Sequence, residues 1–553
     1  MTIEPEIRAS ASTNPPAPDP SALPPKSGGV LKSSAIFSAL TMVSRLAGFA
    51  RDLAVTAFLG ASAGPAADAY NTALSFPNLF RRIFAEGAFA AAFVPAYAKT
   101  LKQKGEAEAD RVATDALAAV AVVTLILTVA AQLAMPWLMR VINIGFLDDP
   151  DRFRLAVILT QITMPYLPCM AVASLLSGVL NARGRFIVSG AYPILMNLIM
   201  LGAILMFQGD QVQSAYAASW SVLVSGLAQA GLCWWAVRKA GADVRLGLPR
   251  LTPAVKAIII TAVPAAIGNS ATQINVFISG NLASFVDGGR TWLATADRLY
   301  QLPLGLIGVA IGIALLPKLS SAIAGGDHEQ ERASMDEALV LSMALTLPAA
   351  AAIMAMPYFL IDGLFTRGAF LEFDAINTAH ALLQFGWGVP AFVLIRVLAP
   401  AFFARQDTKS PMVFALVSVV VNAVLALTLF NLLGRSVAGI AAATSTAAWV
   451  NAGLLGFTLW RRGHYRPGAS AISRLGRILI ASAALGAVLL FSEIFRPAIE
   501  APIDAILSHG AKEITLVLTT GVGGLVYLVL LFVTRAVTVG EIKGLLRRER
   551  RAG

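Results

Sequence analysis

The sequence predicts an all-α polytopic membrane protein with about 14 transmembrane helices, arranged as two six-helix repeats plus two C-terminal helices. Three observations predict it. Of 553 residues, 57% are hydrophobic and only 14% charged, and the mean hydropathy is +0.71. Apolar runs such as 117–139 and 514–533 reach the ~20 residues a spanning helix needs, without the alternation of barrel strands. Lys and Arg are also segregated between alternate loops, as membrane insertion requires.

Residues 1–31 are rich in Pro, Ser and Ala and contain no apolar h-region, so they read as a disordered tail and not as a cleaved signal peptide. Reading apolar runs against their polar interruptions then gives spans at 36–58, 68–96, 113–139, 155–181, 187–207 and 214–237. A second set follows at 257–285, 291–316, 335–356, 376–403, 411–432 and 437–460. The last two spans are 474–495 and 514–534. Segments about 220 to 226 residues apart echo one another: "SFPNL" matches "YQLPLGL", and the stretch ending at Asn197 matches the one ending at Asn422. Four divisions follow: the tail at 1–31, a six-helix lobe at 32–240, a second at 241–465, and the last two spans with a basic tail at 466–553. Pro77, Pro95, Pro303 and Pro317 fall inside spans and are expected to kink them.

Of the 43 Lys and Arg, 29 fall in one set of alternate loops and tails and 8 in the opposite set. The rich set includes both tails, so both termini are expected on the cytoplasmic side, with an even number of spans. These loops account for the net charge of +11 through contact with anionic headgroups, and no nucleic-acid partner is needed to explain it. The remaining six are Arg45, Arg51, Arg81, Arg82, Arg298 and Arg396, inside or at the edge of spans. A cation at the bilayer centre costs roughly 2.5–3.5 kcal/mol on the lenient insertion scale, so such residues face protein or a water-filled cavity.

Several together predict a chamber for an anion, since the guanidinium fork binds phosphate bidentately. Arg45 and Arg51 are six apart on a helix and do not share one stripe. Arg82 and Glu86 have i,i+4 spacing; they are either a salt bridge that lowers burial cost or a functional pair. Arg396 reads as a residue that snorkels to the headgroups. There is no phosphate-loop, HExxH or GxSxG motif, so no enzyme is predicted, and transport would draw on an ion gradient or the membrane potential. Only Cys169 and Cys233 occur, both in apolar segments, which predicts free thiols, no disulfide and no metal site. No cofactor is expected.

The stretches "SRLAGFARD" (44–52), "FPNLFRRIFAEGAF" (76–89), "ADRLYQLPLGLIGVAIGIALLPKLS" (296–320) and "VLAPAFFARQDTKSP" (397–411) closely resemble the MurJ (MviN) family of lipid II flippases. That family belongs to the multidrug/oligosaccharidyl-lipid/polysaccharide exporter superfamily. The resemblance implies transfer of the undecaprenyl-diphosphate-linked peptidoglycan precursor from the cytoplasmic to the periplasmic leaflet of the inner membrane by alternating access. It implies lipid II and membrane lipids as partners, with cell-wall synthesis proteins alongside. By the same resemblance Arg45, Arg51 and Arg298 bind the diphosphate, with Arg82 a further substrate contact. Asp68, Arg81, Glu86 and Thr291 match gating or functional positions, Thr291 standing where the family carries a serine. The last two spans would form a groove for the polyprenyl tail. The alternatives are an exporter of drugs or of another polyprenyl-linked oligosaccharide, against which the excess of arginine over acid argues in the drug case, and a non-transporting cell-wall scaffold.

Overall fold

The computed structural model describes residues 28–83, 89–207, 209–506 and 510–536, and helix is the only regular structure among them. The first half holds α1 (Gly28–Leu59), α2 (Ala66–Ile83), α3 (Phe89–Lys104), α4 (Glu106–Ile142), α5 (Pro150–Thr163), α6 (Tyr166–Ala182), α7 (Phe186–Met206) and α8 (Gln211–Lys239). The second holds α9 (Pro253–Ala283), α10 (Gly289–Ala324), α11 (His328–Ala355), α12 (Pro357–Phe365), α13 (Glu372–Gly386), α14 (Val389–Phe403), α15 (Lys409–Leu432) and α16 (Val437–Arg461). Last come α17 (Ala469–Ile494), α18 (Arg496–Asp504) and α19 (Ala511–Val533). Ten helical stretches are long and apolar enough to cross a membrane, which makes this a multi-pass membrane protein, as predicted.

Local chemistry sets where helices begin. Asp149 accepts from Arg152 N at 3.1 Å with Pro150 at the first position of α5, Asp210 accepts from Gln213 N at 2.7 Å, and Asp327 accepts from Gln330 N at 2.9 Å. Each such cap is worth ~1 kcal/mol.

Packing then divides the apolar interior. One cluster of the first half gathers Tyr70, Met135, Phe146 and Met200; another gathers Phe93, Tyr97, Leu117 and Leu176. Val255 and Ile258 of α9 enter the latter, so α9 packs against α3 and α4 as well as α15. The second half centres on Trp292, Phe365, Phe385 and Phe402. Helices α17 and α19 join α11 and α12 through Leu485, Leu489, Leu516 and Tyr527. Arg496 fastens this addition: it pairs with the buried Asp362 and lies 4.3 Å over the Phe359 ring. Leu133, Trp137, Val420 and Leu525 are exposed, an outer surface suited to lipid.

The loop after α1 and the start of α2 meet the start of α10, while residues 534 and 536 accept hydrogen bonds from Arg477 and Arg474. That meeting point of the two halves is the far end of the bundle.

Between α14 and α15 the Asp407 carboxylate accepts from Ser410 Oγ at 2.6 Å, Ser410 N at 3.0 Å and Arg462 Nη1 at 2.7 Å. These bonds, Ser410's first, hold its pKa at about 2, below the ordinary 3.8. A depressed carboxylate stabilises the fold above its unfolded pKa and loses that contribution as pH falls through the folded value. Asp407→Asn is therefore expected to lower the melting temperature in detergent at pH 7, with the difference from wild type closing between about pH 4 and pH 2. A pH-independent difference would contradict this.

Candidate substrate cavity and its gate

At ~100° per residue, Arg45, Phe49 and Asp52 (i, i+4, i+7) fall on one stripe of α1, whereas Arg51 is turned about 100° away. The side chains follow that geometry. Arg51 is buried against α7, where its Nη1 donates to Asn197 Oδ1 at 2.9 Å, and Asn197 Nδ2 in turn donates to Ser44 O at 2.9 Å. Its Nε and Nη2 donate to Asp52 Oδ1 at 3.1 and 2.6 Å. The other carboxylate oxygen of Asp52 accepts from Arg298 Nε at 2.8 Å, across the two halves. Asp52 thus holds one buried arginine and one that is half exposed, the Arg51 and Arg298 side chains being 8% and 48% accessible.

This triad forms part of the wall of a cavity of about 550 Å³, with Arg45 and Arg396 also in its lining. Polar walls come from Asn78, Gln229 and Gln301, and ring walls from Tyr166 and Tyr192. A smaller chamber, lined by Tyr70, Asn71, Thr291 and Thr295, shares Asp52, Leu74 and Arg298 with it. The Asp52–Arg298 pair stands between the two spaces.

The far end is tied shut by bonds between the halves. Asp68, fully buried, accepts from Gly288 N at 3.0 Å, Thr291 N at 2.9 Å and Thr291 Oγ1 at 2.7 Å. A carboxylate there satisfies the orphan amides at the start of α10. Gly288 has φ +79 and no room for a Cβ between Ser62 N and the Trp292 ring, so only glycine delivers its amide to Asp68. Asp374 accepts from Ser62 N and Oγ at 3.1 and 2.5 Å and from Trp292 Nε1 at 2.9 Å. Ala369 N donates to Ala57 O at 2.7 Å, Arg152 pairs with Asp287 at 2.6 Å, and Arg290 donates to Asn143. Together these make a lock above a cationic cavity.

Known proteins share this architecture. The family profile described as "Lipid II flippase MurJ" matches residues 55–534. The chain belongs to the MurJ family. MurJ-family relatives include "Probable lipid II flippase MurJ" of Rhizobium meliloti (strain 1021), 43% identical over 83% of this chain and 86% of that one. The Rhizobium tropici protein of the same description is 40% identical over 93% and 96%. Among solved structures, "Lipid II flippase MurJ, inward closed conformation" superposes with a TM-score of 0.73 at 21% identity, covering 90% of this chain and 98% of that one. An inward-facing multidrug resistance MATE family transporter of the MOP superfamily gives 0.61 at 15% identity, covering 78% and 98%.

Within this MurJ-family fold, Arg45, Arg51 and Arg298 converge on one cavity, but not as equals: Arg51 is bound up with Asp52 and Asn197, whereas Arg45 has no carboxylate partner among the described residues. Asp68 and Thr291 meet each other at the lock. Arg81 and Arg82 fall in the last turn of α2; Glu86 lies outside the described residues, and so does any pairing with Arg82. Arg396 does not snorkel: its Nη1 donates to Leu304 O at 3.0 Å, because the α14 face that bears it packs on α10. Asp52 as a bridge and Asn197 and Asp374 as anchors are not evident from the sequence taken residue by residue. The signals were there: Asp52 is seven residues past Arg45, and Asp374 lies in the first turn of a helix, where a carboxylate finds amides. Cys169 and Cys233 are free thiols, and no cluster of metal-ligating side chains occurs among the described residues.

Proposed function

We propose that this protein carries lipid II from the cytoplasmic to the periplasmic leaflet of the inner membrane by alternating access, without enzymatic chemistry. The observation that carries this reading is the arginine-lined cavity closed at the far end by inter-half hydrogen bonds. Arg45, Arg298 and Arg51 hold the diphosphate in that reading, Arg51 chiefly by fixing Asp52. The lock through Asp68 and Thr291 opens to release the headgroup, and Arg81, Arg82 and Glu86 serve gating or substrate contact. Four crossings by α1, the α2–α3 pair, α9 and α10 add to the ten apolar stretches to give fourteen, in lobes at 32–240 and 241–465. The α17 and α19 helices guide the polyprenyl tail, and cell-wall synthesis proteins are the partners that consume the product. An exporter of cationic drugs would need an acidic cavity, and four arginines against Asp52 argue the other way.

Both termini are placed in the cytoplasm in this reading. Cysteines at Ala63 and Leu433, exposed at the far end, are then expected to react with an impermeant thiol reagent outside spheroplasts, whereas cysteines at Lys104 and His328 are not. The functional test is replacement of the resident flippase in a depleted strain, with lipid II measured on the outer leaflet. Restored exposure is expected; growth without lipid II exposure would refute the reading.

A further inference from the structure

Four arginines line the cavity, and their charges are not equally compensated. Arg51 and Arg298 share Asp52. Arg45 and Arg396 have no carboxylate partner among the described residues. They belong to opposite halves, on α1 and α14, yet both reach the same turn of α10. Arg396 Nη1 holds Leu304 O at 3.0 Å, and at the next residue Gly305 a Cβ would overlap Arg45 Nη1 and lie 2.9 Å from its Cζ. The Arg45 guanidinium thus rests on the bare backbone of Gly305, and the charges of Arg45 and Arg396 act on each other unfavourably.

Two cations held close across a domain boundary, with no acid between them, are stabilised by an anion that takes both. Each guanidinium has five N–H donors, and the single bond from Arg396 to a helix carbonyl leaves most of its fork for a ligand. We propose that Arg45 and Arg396 form a two-arginine clamp, floored by Gly305, that binds one phosphate of the lipid-linked diphosphate from both halves at once. The clamp rests on the reading under Proposed function and adds Arg396 and Gly305 to the substrate site. Gly305 acts as a positioning residue: its missing side chain is the space Arg45 occupies. An anion in the clamp replaces repulsion between α1 and α14 with a shared ligand, so binding itself draws the two halves together at this depth.

The test is binding of undecaprenyl diphosphate to the full chain in nanodiscs, with undecaprenyl monophosphate and lipid II as comparison ligands. Arg396→Gln and Gly305→Leu are each expected to weaken undecaprenyl diphosphate by about tenfold or more, and Arg396→Lys by less, since it keeps charge but not the fork. Combining Arg45→Gln with Arg396→Gln is expected to cost less than the product of the single losses, because one clamp is broken twice. Arg396→Lys, which keeps the charge, decides the matter if Arg396→Gln does not fold. Wild-type affinity in Arg396→Gln, or in Arg396→Lys when only that variant folds, overturns the clamp alone. A loss seen for lipid II but not for undecaprenyl diphosphate overturns it too, by placing Arg396 on a stem-peptide carboxylate. Failure of the wild-type chain to bind either lipid diphosphate overturns the underlying reading with it.

Discussion

Asp68→Ala is expected to abolish lipid II translocation and to leave the far end open. The buried carboxylate accepts three hydrogen bonds from the start of α10, and hydrogen bonds to a charged group are each worth about 1.5–3 kcal/mol. Losing even about 3 kcal/mol from the closed state shifts its population roughly 100-fold. A cysteine at Ala63 should then react faster with an impermeant reagent while flipping fails, because a carrier that stays open on one side cannot reload. Thr291 grades the effect: Thr291→Ser keeps both the amide and the hydroxyl and is expected to work, whereas Thr291→Val keeps the amide but loses the 2.7 Å hydroxyl bond to Asp68 and the 3.0 Å bond the hydroxyl accepts from Asn71 Nδ2, and should fall about tenfold or more. Normal flipping by Asp68→Ala would show that the lock is incidental to transport.

The second large effect separates Arg298 from its partner. Arg298→Ala removes a half-exposed guanidinium from the cavity and leaves Asp52 paired with Arg51, so the protein should accumulate normally while translocation falls about 100-fold or more. Asp52→Ala instead strands the buried Arg51 charge, an error costing about 3–5 kcal/mol, and should lower the amount of folded protein. Membrane protein level and outer-leaflet lipid II, measured together, check both. Equal loss of folded protein in the two variants would mean that Arg298 is structural and not a ligand.

Much of this was legible beforehand because membrane physics is severe. Six arginines that lipid cannot tolerate had to face protein or water, so a cationic chamber was legible from cost alone, whereas Arg45, Arg51 and Arg298 were singled out within the six by resemblance. What the arginines do to one another was not legible. Whether Arg51 faces substrate or Asn197 depends on the roll of α1 against α7, and spacing on one helix says nothing about the neighbour that packs there. Arg396 was misread for the same reason: without α10 in view, a cation near the end of an apolar run has the headgroups as its nearest partner. The lock was half visible. Asp68 and Thr291 drew attention by resemblance, but the Asp374, Ser62 and Trp292 cluster joins residues more than 300 positions apart, which no local pattern reports.

Alternating access is tested most directly by holding the far end shut. Ala57 and Ala369 face each other across the halves through the 2.7 Å backbone hydrogen bond, and both are small enough to become cysteine with little disturbance. In a chain whose Cys169 and Cys233 have been replaced, Ala57→Cys and Ala369→Cys should be joined by a disulfide or a short thiol crosslinker. Lipid II exposure on the outer leaflet is then expected to stop on oxidation and to return on reduction. Undiminished exposure with the crosslink complete would contradict the account.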